Sequence, residues 1–438
     1  MAEILIVAMP PIGHVSPLLS VAAGLIDRGD RVTVLTSATH AERVRAVGAT
    51  PAAIPTEADF DLSRLDIDFP GRAETTGVAR VNFDITHLFV APMPHQARAL
   101  SEVLAHNRFD AVIVDAAFLG VLPLLLGDRA GRPPVLAYTT TPLMINSRDT
   151  APGGLGMAPS SSWPGRLRNR ALTVLAQKVL LRESQRAAED VLNRLGAGPL
   201  QTFVLDAGLL ADRYIVPTIP EFDYPRSDLP TTVRYVGTVH PAPSSGVTLP
   251  SWWQQLDTAR PIVHVTQGTI DNADLGRLLT PTIAALGGED VTVIATTGGR
   301  PVTDLKIPLP SNVHVAEYIP HDLLLPKVDV MVTNGGYGAV QRALSAGVPL
   351  VVAGDTEDKP EVAARVAWAG AGIDLRTGTP SPEAVRTAVR AVLDDDRYGR
   401  RARDLAAGYA RRDGVAEIAA LVHDVIAERG NVAPREVA

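Results

Sequence analysis

The chain has 438 residues, 46% of them hydrophobic and 20% charged, a globular composition too long for one core and long enough for two ordinary domains. Its 41 basic and 48 acidic side chains leave a net charge of -7, which favours neither counterion-releasing contact with nucleic acid nor attraction to anionic lipid. Cysteine is absent, so disulfides, thiolate nucleophiles and sulfur metal ligands drop out together, and a small-molecule substrate fits best.

Met1-Ala2-Glu3 lacks a basic n-region, and Pro10 and Pro11 break the first apolar run, so no signal peptide is expected. Charges and prolines interrupt every apolar stretch, the longest near residues 116–127, before the roughly 20 residues a membrane helix needs. The expectation is a cytoplasmic protein with no stable membrane insertion. Nothing in the sequence fixes an oligomeric state.

Residues 4–8 read as a strand, a Pro/Gly loop follows, and residues 17–27 carry apolar side chains at helical spacing. Ser16 is the expected N-cap with Pro17 at the first helical position, and Gly29 closes the helix before the next strand at 32–35. Further strands at 111–114 and 135–138 extend this unit to a doubly wound parallel sheet. Residues 55–95 and 142–170 are Pro/Gly-punctuated insertions of the kind that shape a substrate pocket above a sheet's carboxyl edge.

The Pro/Ser-rich run at 241–250 has linker composition. It separates an expected N-terminal domain, 1–240, from a second domain of the same α/β class, 251–400. Strands there are expected at 262–266, 291–295, 313–318, 328–333 and 350–353, and a helical segment at 401–438 is expected to pack back across both domains. Neither first loop carries G-x-G-x-x-G, and the second strand ends in Thr36-Ser37 instead of an acid for a ribose, which disfavours a dinucleotide cofactor.

The sharpest motif is the apolar strand ending Thr333-Asn334-Gly335-Gly336-Tyr337-Gly338-Ala339. Paired glycines at a strand-to-helix turn expose N–H groups and the positive end of a helix dipole, which together hold a diphosphate without a metal. The same turn serves as well with no ligand. Gln267-Gly268-Thr269 follows the first strand of that domain and can converge on the same anion. Tyr318, Ile319 and His321 offer a ring and a backbone edge to a flat base, although a Tyr before a Pro is more often packing. Asp358 and Lys359 stand after another strand, where carboxylates grip sugar hydroxyls or simply start a helix. In the first domain His14 lies in the loop after strand one and Asp115 ends a neighbouring strand. Taken singly each is more often structural; together they can form a general base and the carboxylate that orients it.

With these residues on the page the chain resembles the family 1 glycosyltransferases of the GT-B fold, the UDP-glycosyltransferase superfamily. The likeness covers nearly the whole chain and is strongest over 261–375, in the order Tyr318-x-x-His321, Thr333-Asn334-Gly335-Gly336, Ala346-Gly347-Val348-Pro349, Asp358-Lys359. The Asn-Gly-Gly-Tyr and Glu-Asp-Lys-Pro variants are similar to bacterial antibiotic-modifying members, rifamycin glucosyltransferases among them.

The resemblance implies two Rossmann-like domains facing a cleft. It implies His14 and Asp115 as catalytic pair, and donor contacts from Gly268, Thr269, Tyr318, Ile319, His321, Asn334, Gly335, Gly336, Tyr337, Gly338, Ala339, Asp358 and Lys359. Three positions depart from its common pattern: Asn334 where a phosphate-binding His is frequent, Arg342 where plant members carry a ribose-binding Glu, and Lys359 in place of Gln. The implied reaction is inverting transfer of a hexose from a nucleotide diphosphate sugar, UDP-glucose favoured, to a hydroxyl of an apolar small molecule. No metal and no permanently bound cofactor are implied. Competing readings are a dTDP-deoxysugar donor, a metal-dependent transferase using Asp59/Asp61 or Asp66/Asp68, a sugar-nucleotide epimerase, and a non-catalytic homologue that binds nucleotide sugar and supports a partner.

Overall fold

A computed structural model describes residues 1–240, 247–256, 259–269 and 271–430; within the expected linker, 241–246 lie outside the described residues, as do 431–438 of the final segment. The first sheet has seven strands: β1 (Glu3–Val7), β2 (Arg31–Thr36), β3 (Thr50–Ala53), β4 (Ala111–Asp115), β5 (Val135–Tyr138), β6 (Arg213–Val216) and β7 (Val233–Tyr235). The second has six: β8 (Ile262–Thr266), β9 (Thr292–Thr296), β10 (Val313–Ala316), β11 (Val330–Thr333), β12 (Leu350–Val352) and β13 (Gly372–Asp374). Every pairing in both sheets is parallel.

Strand order is 3-2-1-4-5-6-7 in one sheet and 10-9-8-11-12-13 in the other. In each, the first strand of the unit sits between its second and a later one, and the crossovers leave in opposite directions on either side of it. That reversal opens a crevice at the carboxyl ends. His14 and Asp115 follow or end β1 and β4; Gly268 and Asn334 follow β8 and β11. All four therefore stand at their sheets' crevices.

The strands read as continuous apolar runs because both faces are covered. Along β1, Leu5 and Val7 enter one buried cluster while Ile4 and Ile6 enter the other; along β11, Met331 and its neighbours Val330 and Val332 divide the same way. Among the described residues the final helical segment is two helices. Asp396–Ala410 sends Ala402, Leu405 and Tyr409 into the second domain's core. After a break at 411–413, Gly414–Gly430 sends Ile418, Ala419, Val422 and Val425 into the first, beside Val15, Leu18 and Val21 of the helix Ile12–Asp27.

Several elements differ from the expectation. The first helix starts at Ile12 with Pro11 as its cap (φ -60, ψ 137), not at Pro17 after Ser16. The Pro11 carbonyl accepts the His14 and Val15 N–H groups at 2.8 and 3.1 Å. Pro17 deprives the helix only of the bond to the Gly13 carbonyl, on an exposed residue, a small loss near a helix start. Short β3, β6, β7 and β13 escaped the reading because Pro51, Arg213, Arg234 and Gly372 interrupt their apolar pattern. The insertion at 142–170 ends in a regular helix, Trp163–Leu175, capped by Ser162.

Gly120, five residues beyond Asp115, lies against the helix Met93–His106; a Cβ there would come within 2.8 Å of the Ala97 nitrogen, and its N–H donates to Gln96 Oε1 at 3.0 Å. Gly120→Ala must push the backbone off that helix, and a loss of about 1–3 kcal/mol is expected, read as a lowered denaturation midpoint in urea.

Candidate active site

His14 occupies the first turn of the helix Ile12–Asp27 rather than a loop, and this fixes its direction. Its Nδ1 lies 2.6 Å from Asp115 Oδ2 and 3.0 Å from Thr140 Oγ1. Asp115 is 1% exposed and held from behind: Oδ2 accepts the Met9 N–H at 3.3 Å and Oδ1 the Ala117 N–H at 3.0 Å. A buried carboxylate acceptor puts the proton on Nδ1 and leaves Nε2 with a free lone pair. Burial alone would push the His14 pKa down, but the charge and hydrogen bond of Asp115, aided by Asp358 and Glu357 from the other domain, raise it above its ordinary 6.5. Thr140 has no motif around it and was not foreseen.

Across the cleft a hydrogen bond joins the loops after β8 and β11, Asn334 Nδ2 to the Gln267 carbonyl, 2.6 Å. The Asn334 side chain thus ties the two loops together. Gln267 in turn accepts the Leu278 and Leu279 N–H groups at 3.1 and 3.3 Å, capping the helix Leu279–Leu286. Gly268 and Gly335 take φ of +72 and +88, the left-handed region that favours glycine. Gly336 caps the helix Tyr337–Ser345, whose first N–H groups have no intrahelical acceptor. Asn272, also unforeseen, clamps this edge from below, its Nδ2 donating to the carbonyls of Gly268, Thr297 and Gly298 at 3.1, 3.0 and 3.2 Å.

The remaining residues divide. Thr269, Gly338 and the Tyr318 ring are exposed at this edge, and Ala339 is half-buried. The Ile319 side chain is in the core. His321 turns inward, its ring edge-on to His264 at 5.7 Å, and burial pushes its pKa down to about 4. The Tyr337 side chain is buried, and its phenol pKa is pushed up by burial with Asp223 adding to the shift. Lys359 is 3% exposed and already neutralised: Nζ lies 2.5 Å from Glu357, 2.9 Å from Thr356 and 3.3 Å from Asp271. Half-buried Asp358 is pushed up to about 6, first by burial, with Lys359 opposing and Glu357 assisting; His14 is among the charges it feels, so the two domains meet electrostatically here.

The Asp-x-Asp pairs have partners of their own. Asp66 and Asp68 form ion pairs with Arg72 and Arg64 at 2.8 and 3.2 Å, and Asp59 accepts from Ser37 at 2.6 Å. Among the described residues no group of three or more His, Asp or Glu is arranged to hold a metal ion, and no helix is long and apolar enough to cross a membrane.

Residues 280–425 match the family described as Erythromycin biosynthesis protein CIII-like, C-terminal domain. The chain is 42% identical to 4'-demethylrebeccamycin synthase of Lentzea aerocolonigenes over 97% of its own length and all of the relative's. It is 36% identical to UDP-glycosyltransferase 2 of Phaeomoniella chlamydospora over 97% of this chain and 96% of that one. Its fold is similar to that of the calicheamicin glycosyltransferase CalG4, with a TM-score of 0.73 and 22% identity over 99% and 100% of the two chains.

If Asp115 sustains the His14 pKa against burial, Asp115→Asn lowers it. An NMR titration of the imidazole should give a midpoint above 6.5 in the parent and a lower one in the variant; equal midpoints would contradict the assignment.

Proposed function

The chain belongs to the UDP-glycosyltransferase superfamily of GT-B natural-product and antibiotic glycosyltransferases, and from that premise we propose that it is an inverting O-glycosyltransferase moving a hexose, glucose first, from a nucleotide diphosphate to a hydroxyl of an apolar natural product. The observation that carries this reading is the 2.6 Å pair His14–Asp115, placed across the cleft from the acidic turn at Asp358. His14 Nε2 takes the acceptor's O–H proton as that oxygen attacks the anomeric carbon, and the carbon–phosphate oxygen bond breaks with its electron pair leaving on the diphosphate. Asp115 stabilises the imidazolium that forms. The leaving diphosphate is held by N–H groups at the helix start after Gly336, together with that helix's dipole, with Gly268 presenting no side chain to obstruct it, Tyr318 beside the base and Asp358 at the sugar. One displacement inverts the anomeric centre.

UDP as the nucleotide is supported by relatives named as UDP-glycosyltransferases, and an antibiotic-like acceptor by the relative named 4'-demethylrebeccamycin synthase. A dTDP-deoxysugar donor is the second reading; Arg342 offers no carboxylate to accept ribose hydroxyl protons, which reduces the advantage of ribose over deoxyribose. The two sheets and the helices around them suit a division into an acceptor domain 1–240 and a donor domain 251–400. A donor screen by mass spectrometry over aromatic polyketide acceptors separates the two nucleotides.

His14→Ala is expected to lower kcat by about 10²- to 10⁴-fold while UDP binding by calorimetry is unchanged; near-normal turnover would reject the base. Because the base acts as neutral imidazole and its pKa is raised, kcat/KM for the acceptor should climb with pH through a midpoint above 6.5 and then level off. Product NMR should show inverted anomeric configuration, and retention would rule out the single displacement.

A further inference from the structure

Residues 140–156 leave β5 beside His14 and arrive at the donor domain. At the start, Thr140 touches His14 Nδ1. At the end, Glu361, in the first turn of the helix Lys359–Trp368 that Asp358 caps, reaches across with one carboxylate oxygen. Its Oε1 accepts the N–H groups of both Gly154 and Gly156, at 2.9 and 2.8 Å. Its other oxygen meets Arg365 Nη1 at 2.7 Å. Arg365 Nη2 donates back to the same segment, to the Leu143 carbonyl at 2.8 Å. The contact is also close in shape: Gly156 has φ +57, and a Cβ there would lie 3.1 Å from the Pro360 carbonyl. Between the two clamped glycines Leu155 stays 51% exposed, and Met144, against which Gly153 packs, is 36% exposed.

Two N–H groups fixed on one charged oxygen, with an apolar side chain left bare between them, are the marks of a loop held for what it presents. We propose that Glu361 is the positioning residue that sets the acceptor-side segment, so that Leu155 and Met144 form an apolar wall for the acceptor only while the donor-domain helix is docked. The proposal rests on the transferase reading for its consequence, but the clamp exists independently of it. Acceptor affinity then depends on a residue that touches no substrate, and the segment's two ends register the acceptor against the base and the donor sugar at once.

Three variants separate holding the loop from merely balancing Arg365. Glu361→Ala removes the acceptor of both N–H groups. Glu361→Gln keeps a carbonyl oxygen for them and loses only the charge. Gly156→Ala strains the loop from its own side and leaves the buried charges intact. With UDP-glucose as donor and 4-methylumbelliferone as acceptor, Glu361→Ala and Gly156→Ala should raise acceptor KM about tenfold or more, a factor that needs no more than the loss of one charge-assisted hydrogen bond's contribution to holding the loop. The Gln variant, which still accepts both N–H groups but leaves Arg365 short of one carboxylate charge, should raise KM clearly less than Glu361→Ala, and the Kd for UDP should not move in any of them. Hydrogen exchange over residues 150–160 reads the clamp without catalysis and should accelerate in the first two. Unchanged exchange there, or equal effects of Gln and Ala on KM, overturns the proposal. A parent protein that transfers no sugar from any nucleotide sugar defeats the transferase reading instead, and the exchange result still decides the clamp.

Discussion

Where the two domains touch, two carboxylates and two guanidiniums are shut away from water together. Asp223, Glu361, Arg226 and Arg365 are each no more than 5% exposed. Arg365 bonds Asp223 at 2.9 Å, Arg226 bonds it at 3.0 Å, and the Tyr235 hydroxyl donates to it at 2.7 Å; the Arg365 guanidinium also lies 4.2 Å over the Tyr224 ring. The set is neutral, which is the condition for burying four charges at all. It adds little stability over an apolar core of equal shape, but deleting one member strands its partner at a cost of about 3–5 kcal/mol. Such a cluster penalises any arrangement of the two domains that would separate its members.

Each sheet contributes the crevice that parallel strands open beside their first strand. The interface turns those crevices toward each other, and the bridging C-terminal helices keep the arrangement, one in each domain's core. The chemistry on the two sides is unequal. Lys359 on the donor side is surrounded by Asp271, Glu357 and Asp358, so its charge is already balanced. Under the proposed function a diphosphate there is met by backbone N–H groups and a helix dipole. That explains the insistence on glycine: a Cβ at Gly354 would fall 2.0 Å from the Asn334 carbonyl, and one at Gly298 1.9 Å from the Gly268 carbonyl. The loops approach each other as closely as bare backbone permits.

Much of this was legible in the sequence, and the reason is periodicity and punctuation. Apolar runs without alternation mean strands covered on both faces, and the Gly-Gly turn after one of them reads as a helix start. The parallel two-domain class followed from those two signals, and the His14–Asp115 contact from topology. Side-chain direction did not. Tyr337 and His321 sit inside a recognisable motif yet turn toward the core, because an aromatic or imidazole ring buries more area there than it would at the rim. Glu361 and Arg365 stand four apart at the head of a helix, a spacing that by itself signals no more than an exposed ion pair. Nothing local announces that this face of the helix is covered by residues more than two hundred positions upstream.

The position of His14 shows how finely these forces oppose. A residue in the first turn of a helix feels the dipole's positive end, which disfavours an imidazolium by about 0.3–1 kcal/mol, and burial disfavours it too. Both favour the neutral ring and so weaken it as a proton acceptor. Asp115 reverses the balance from a fixed place, because its own oxygens are tied to Met9 and Ala117 backbone and cannot relax away. The helix therefore supplies direction and the strand-end carboxylate supplies basicity, and neither would suffice alone. The loop histidine expected from the sequence would have had the carboxylate but not the fixed aim, since loop backbone can swing where the first turn of a sixteen-residue helix cannot.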